Sequence, residues 1–176
     1  MVNAASILKI VATAAKPWAE LYSDSRAVSS AVTFFHLGGL LFAGGLAVAS
    51  DRATFRALRG NDEDRSRLLV DLGNAHGWVL AGLSVMFASG LLLALSDVKT
   101  FGNSPIYWTK MSLVVLLLAN GALLQRTERM LRAESLPTHS PSPTHRLWAR
   151  LRFAAGASMT LWTAIVLAGV ILVDSS

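Results

Sequence analysis

Four apolar runs decide what this chain can fold into. They lie at about Val28 to Ser50, Leu72 to Leu95, Pro105 to Leu124 and Phe153 to Val173. Each is long enough to cross a hydrocarbon core of ~30 Å, which takes about 20 helical residues. Lipid offers the backbone no hydrogen-bond partner, so each run must satisfy its own N–H and C=O groups as a helix. The expected fold is all-α: an integral-membrane antiparallel four-helix bundle over residues 26–176, preceded by a distinct segment over 1–25. The third run has a marked start, with Ser104 placed to cap it and Pro105 at its first position. Composition agrees, with 53% hydrophobic and only 15% charged residues, against roughly 25% charged in an average soluble domain.

The net charge of +5 could point to nucleic acid, but its distribution points elsewhere. Eleven of the twelve arginines fall in two segments, Arg52 to Arg67 and Arg126 to Arg152, and both separate apolar runs. That is the positive-inside pattern. It places both basic loops in the cytoplasm, with the two termini and the Lys99 loop on the opposite side. In a bacterium this means the inner membrane with periplasmic termini. Tyr107 and Trp108 then fall in an interfacial aromatic belt. The chain has no cysteine, so disulfides, thiolate metal sites and cysteine nucleophiles are excluded.

The first 25 residues follow another pattern. Ile7, Val11, Ala14, Trp18 and Leu21 keep helical spacing, while Lys9, Thr13, Lys16 and Glu20 lie off that line. This reads as an amphipathic helix on the membrane surface, kinked at Pro17. A signal peptide would want an unbroken apolar core, which Lys9 interrupts. The stretch AESLPTHSPSPTHRLW reads as a flexible cytoplasmic linker over about 133–147, with His139 and His145 as solvated linker residues. ASDRATF and LSDVKTF, after the first and second runs, echo one another, as helix-end capping chemistry often does.

An ionisable group at bilayer depth costs at least ~2.5–3.5 kcal/mol and needs a partner or a purpose. His36 shares one helical face with Gly39, Ala43, Ala47 and Ser50, and small residues admit a close neighbour. Its ring should therefore face the bundle, as a ligand or as a hydrogen-bond donor to the next helix. His76, near the cytoplasmic start of the second run, falls near the level of Asn120, Met159 and Thr160 and forms an expected polar cluster with Asn120 and Thr160. Lys110 either snorkels or meets an anionic group: Asp97, a haem propionate or a lipid head group. Met111 beside it lies near the depth of His36.

Two histidines raise a shared haem. At ~1.5 Å per residue the two rings miss a common level by about 5–10 Å in a ~30 Å core, a gap that helix tilt of ~20° narrows. His36 with Met111 fits better by depth, and a His–Met pair suits haem iron or copper. Phosphate loops, HExxH and paired intramembrane carboxylates are absent, so no enzymatic reaction is expected. No acidic residue falls mid-run, which speaks against a proton-driven transporter.

HLGGLLFAGG in the first run, FASGLLLAL in the second and SPIYWTKMSLVVLLLANGALL in the third resemble the copper-resistance protein D family and its small four-span relatives. The likeness covers about half of the chain. It implies copper- or haem-linked biology in the bacterial inner membrane, with His36 and Lys110 as the family-like polar positions. The leading expectation is a small membrane protein holding haem b or copper. His36 and His76 are its metal-ligand candidates, and Lys110 and Met111 are further cofactor-site residues. The alternative is a non-catalytic accessory subunit of a larger membrane assembly or a homo-oligomer.

Overall fold

The computed structural model describes residues 4–134 and 144–174. Six helices follow in order: α1 (Ala4–Asp24), α2 (Arg26–Ala57), α3 (Asp62–Ser96), α4 (Val98–Asn103), α5 (Pro105–Glu134) and α6 (Thr144–Asp174). No strand occurs among the described residues. Four of the helices, α2, α3, α5 and α6, are long and apolar enough to cross a membrane.

Local chemistry sets the boundaries. Ser25 alone separates α1 from α2, and its hydroxyl accepts from the Val28 N–H. Asn61 opens α3 through a reciprocal capping box with Asp64. Asp62, Glu63 and Asp64 crowd the first turn, where the positive end of the helix dipole favours anions. Ser104 accepts from the Tyr107 N–H at the start of α5, with Pro105 first in the helix, as its sequence led one to expect. The linker expected over 133–147 overlaps helix at both ends. α5 runs to Glu134 and α6 begins at Thr144, so His145 is helical, and Leu147, two residues further on, is buried in the core. His139 lies outside the described residues.

Around the bundle the order is α3, α2, α6, α5: α2 packs on α3 and α6, α6 packs on α5, and α3 barely touches α5. Neighbours run antiparallel. Large apolar side chains point outward on every long helix, among them Phe34 and Leu41 on α2, Trp78 and Phe87 on α3, Val115 on α5 and Phe153 on α6. Leu41 is 75% exposed. Water would make such a surface an aggregation site, whereas lipid makes it an ordinary boundary.

Two apolar clusters hold the interior. Midway, Ala43, Met86, Leu117, Trp162 and Ile165 meet from all four helices. At the end that carries the arginines, Ala57, Leu68, Leu69, Leu72, Leu131, Leu147 and Leu151 close the bundle. Between α2 and α3 the backbones nearly touch. A Cβ on Gly39 would lie 2.9 Å from the Met86 nitrogen, and one on Gly82 would lie 3.0 Å from the Ala43 Cβ. This is a small-residue crossing, in which tight van der Waals contact replaces the hydrophobic effect that lipid cannot supply.

α1 is one helix with Pro17 inside it. The Ile7–Val11–Ala14–Trp18–Leu21 line lies only partly against the other helices. Ala15 is buried, Leu8 lies over Gly102 of α4, and Trp18 donates to the Leu92 carbonyl of α3 at 2.8 Å. Ile7, Ile10, Val11 and Leu21 are exposed. At roughly 100° per residue the apolar arc covers more than half of the helix, so one part packs on protein and the other faces outward. Lys9, Thr13, Lys16 and Glu20 occupy the remaining sector.

Candidate functional sites

Polar groups gather at two levels of the bundle. The first is at the α1 end and is built on His36. Its face of α2 is turned inward as expected, with Gly39 and Ala43 buried. The ring lies against Gly90 of α3, where a Cβ would come within 3.0 Å of Cε1. Nδ1 is 3.0 Å from the Met86 carbonyl oxygen and 3.4 Å from Ser89 Oγ. A carbonyl only accepts, so in the neutral ring Nδ1 carries the proton and Nε2 keeps its lone pair. Ser89 spends its own proton on the Val85 carbonyl at 2.7 Å.

Lys110 is half-buried on α5. Its Nζ lies 3.5 Å from where a Cβ of Gly169 on α6 would stand, and its charge is within reach of His36. It makes no ion pair among the described residues. In particular it does not meet Asp97, whose carboxylate caps α4 by accepting from the Thr100 N–H at 3.1 Å. Met111 is half-buried one residue further along α5.

The second level lies toward the arginine end. A cavity of about 80 Å³ opens between the four long helices, lined by Asp51, His76, Asn120 and Ser158 among apolar side chains that include Trp162. Asp51 is only 3% exposed, and its Oδ2 has no hydrogen-bond partner. Ser158 lines the same cavity wall as this carboxylate. Asn120 donates from Nδ2 to the Ala154 carbonyl at 2.9 Å, tying α5 to α6 and leaving Oδ1 free to accept. The expected trio of His76, Asn120 and Thr160 is split, since Asn120 lines both this cavity, with His76, and the outer groove of Thr160. Thr160 is two residues from Ser158, about 200° around the helix. It faces an outer groove with Arg152 and Gly156 and bonds the Gly156 carbonyl.

His36 and His76 do not share a site. The His36 ring docks at the level of Met86 to Gly90 on α3. His76 is ten residues before Met86 on that same helix, or about 15 Å along its axis. One iron or copper ion needs both rings within about 2 Å of itself. Among the described residues no three His, Cys, Asp or Glu side chains gather into a metal-binding group.

Two acidic residues have roles the sequence reading did not assign. Asp51 sits beside Arg52 and reads as a helix end, yet α2 continues to Ala57 with Thr54 and Ala57 also buried. The missed signal was that the small-residue face continues at helical spacing beyond Ala47, through Asp51 and Thr54. Glu128 is 4% exposed and pairs with Arg132 at 2.6 Å, while Arg132 also donates to the Leu69 carbonyl across the α3–α5 seam. Asp51 and Asp97 occupy the same Ser-Asp echo, one as a buried cavity residue and the other as an exposed cap, so the echo carries no shared structural role.

The chain matches no family model, no curated protein and no solved structure.

Proposed function

We propose that this is a small membrane protein that holds a haem through His36, in a bacterial inner membrane with its arginine-rich end in the cytoplasm. One observation carries the reading: the His36 Nδ1–H is committed to the Met86 carbonyl, which fixes the ring and turns Nε2 into the available donor. Metal-ligating histidines characteristically hold their second nitrogen this way. The donor count favours haem over a bare copper ion. A porphyrin brings its own four nitrogens and needs few protein ligands, whereas copper needs several donors, and the described residues gather no such group. Lys110, uncompensated at the same end of the bundle, would balance propionate charge. Bound haem would supply one-electron chemistry. The arginine distribution supports the orientation, and the resemblance to copper-resistance protein D relatives supports the compartment.

The test is purification from cells supplied with a haem precursor and copper, followed by metal analysis and absorption spectroscopy. About one iron per chain with a Soret band supports the reading. A protein free of iron sinks it, and bound copper without iron moves the cofactor to copper.

A second reading has its own observation. Gly38 and Gly45 of α2 have nothing within 4 Å of where a Cβ would stand. Bare glycines on an outward face admit another helix, as an accessory subunit or a homo-oligomer would require. Crosslinking in native membranes, with and without Gly45→Leu, tests it.

A further inference from the structure

The structure assigns a second binding site, independent of His36: we propose that the cavity beside Asp51 binds a monovalent alkali cation. Asp51 Oδ2 is buried without a hydrogen-bond partner, and no ion pair reaches this carboxylate among the described residues. A buried carboxylate in that condition needs either a proton or a countercharge. Space for one is at hand, since about 80 Å³ exceeds what a single water-sized body occupies.

The donor set identifies the ion class. Asp51 contributes one negative charge, Ser158 a hydroxyl oxygen and Asn120 an Oδ1 freed by its Nδ2 bond to Ala154. These are hard oxygen donors, which exclude soft ions. One carboxylate neutralises one charge, so a divalent ion would leave a net positive charge inside the bundle. His76 is the lone imidazole on the cavity wall, and no third His, Cys, Asp or Glu joins it and Asp51, so the set for zinc or copper is incomplete. The donors come from α2, α5 and α6, so an ion bound here would tie the two helical hairpins together. It would do so where α3 and α5 leave the bundle loosest.

The experiment is thermal unfolding of the detergent-purified protein in sodium chloride against choline chloride at equal ionic strength, with equilibrium dialysis against radioactive sodium. The expected result is a saturable rise in melting temperature with sodium alone, about one sodium bound per chain, and loss of both in Asp51→Asn. Ser158→Ala, which removes only a hydroxyl, should weaken sodium binding roughly tenfold and keeps the test valid if Asp51→Asn misfolds. Equal stability in both salts with no sodium retained would overturn the proposal and leave a protonated Asp51 beside water. Sodium binding unchanged in both variants would overturn it too.

Discussion

The two sides of α3 pack in opposite ways. Toward α2, Gly39 and Gly82 bring backbones within van der Waals contact, and His36 is seated against Gly90 with its proton on a backbone carbonyl. Toward α5, α3 makes little contact. That seam is tied near the arginine end by Arg132, which donates to Leu69 and pairs with Glu128. The cavity with Asp51 opens above this tie. The close side has no room to adjust and so can fix a side chain in one geometry. The loose side keeps space and an unpaired charge, the conditions for binding something small and mobile.

Breaking the close side should have the largest effect. Gly39→Leu drives side-chain atoms into the Met86 backbone, which cannot move aside, and should cost about 3 kcal/mol or more or abolish assembly. Gly38→Leu, facing open space, should stay within about 0.5 kcal/mol of wild type. Denaturant titration in mixed micelles reads both. A similar loss for the two would erase the distinction.

The loose side responds to charge. Arg132→Met strands the buried Glu128 and frees the Leu69 carbonyl, and should cost about 2 kcal/mol; an unchanged unfolding midpoint would show that the tie is idle. Asp51→Asn removes an uncompensated buried charge and should stabilise the protein by about 1 kcal/mol when no alkali cation is present. Destabilisation there would mean that a countercharge inside the protein had been overlooked.

Gly90→Ala should act on the ligand more than on the fold. Its Cβ would press on the His36 ring at 3.0 Å, so haem occupancy should fall while stability changes by less than about 1 kcal/mol. The smallest effect belongs to Asp97. The Thr100 hydroxyl and N–H hold its carboxyl below the usual range. The cap therefore contributes fully above the unfolded value of about 3.9 and is lost as pH falls through the lower folded value. Hydrogen exchange in α4 should quicken only in acid, and Asp97→Ala should remove that dependence.

The architecture was legible because lipid imposes it: apolar length gives the spans, Ser104–Pro105 gives a helix start, and His36 shares its face with Gly39 and Ala43. What stayed hidden depends on how far helices run and how they are rotated against one another. Asp51 was masked by the arginine beside it, since nothing local says that α2 remains packed for two turns beyond the apolar run. Ser158 was passed over for Thr160 because depth alone does not tell opposite faces of a helix apart. The apolar line of α1 was legible too, but a wide apolar arc does not say which half meets protein and which faces outward.

The decisive experiment is the reduced-minus-oxidised absorption spectrum of wild type beside His36→Leu and His76→Leu, each checked for folding by size exclusion. Because His76 lies about 15 Å along α3 from Met86, where the His36 ring docks, a haem signal is expected in wild type and in His76→Leu, and none in His36→Leu. A signal lost equally in both variants, or unchanged in His36→Leu, would contradict His36 as the haem ligand.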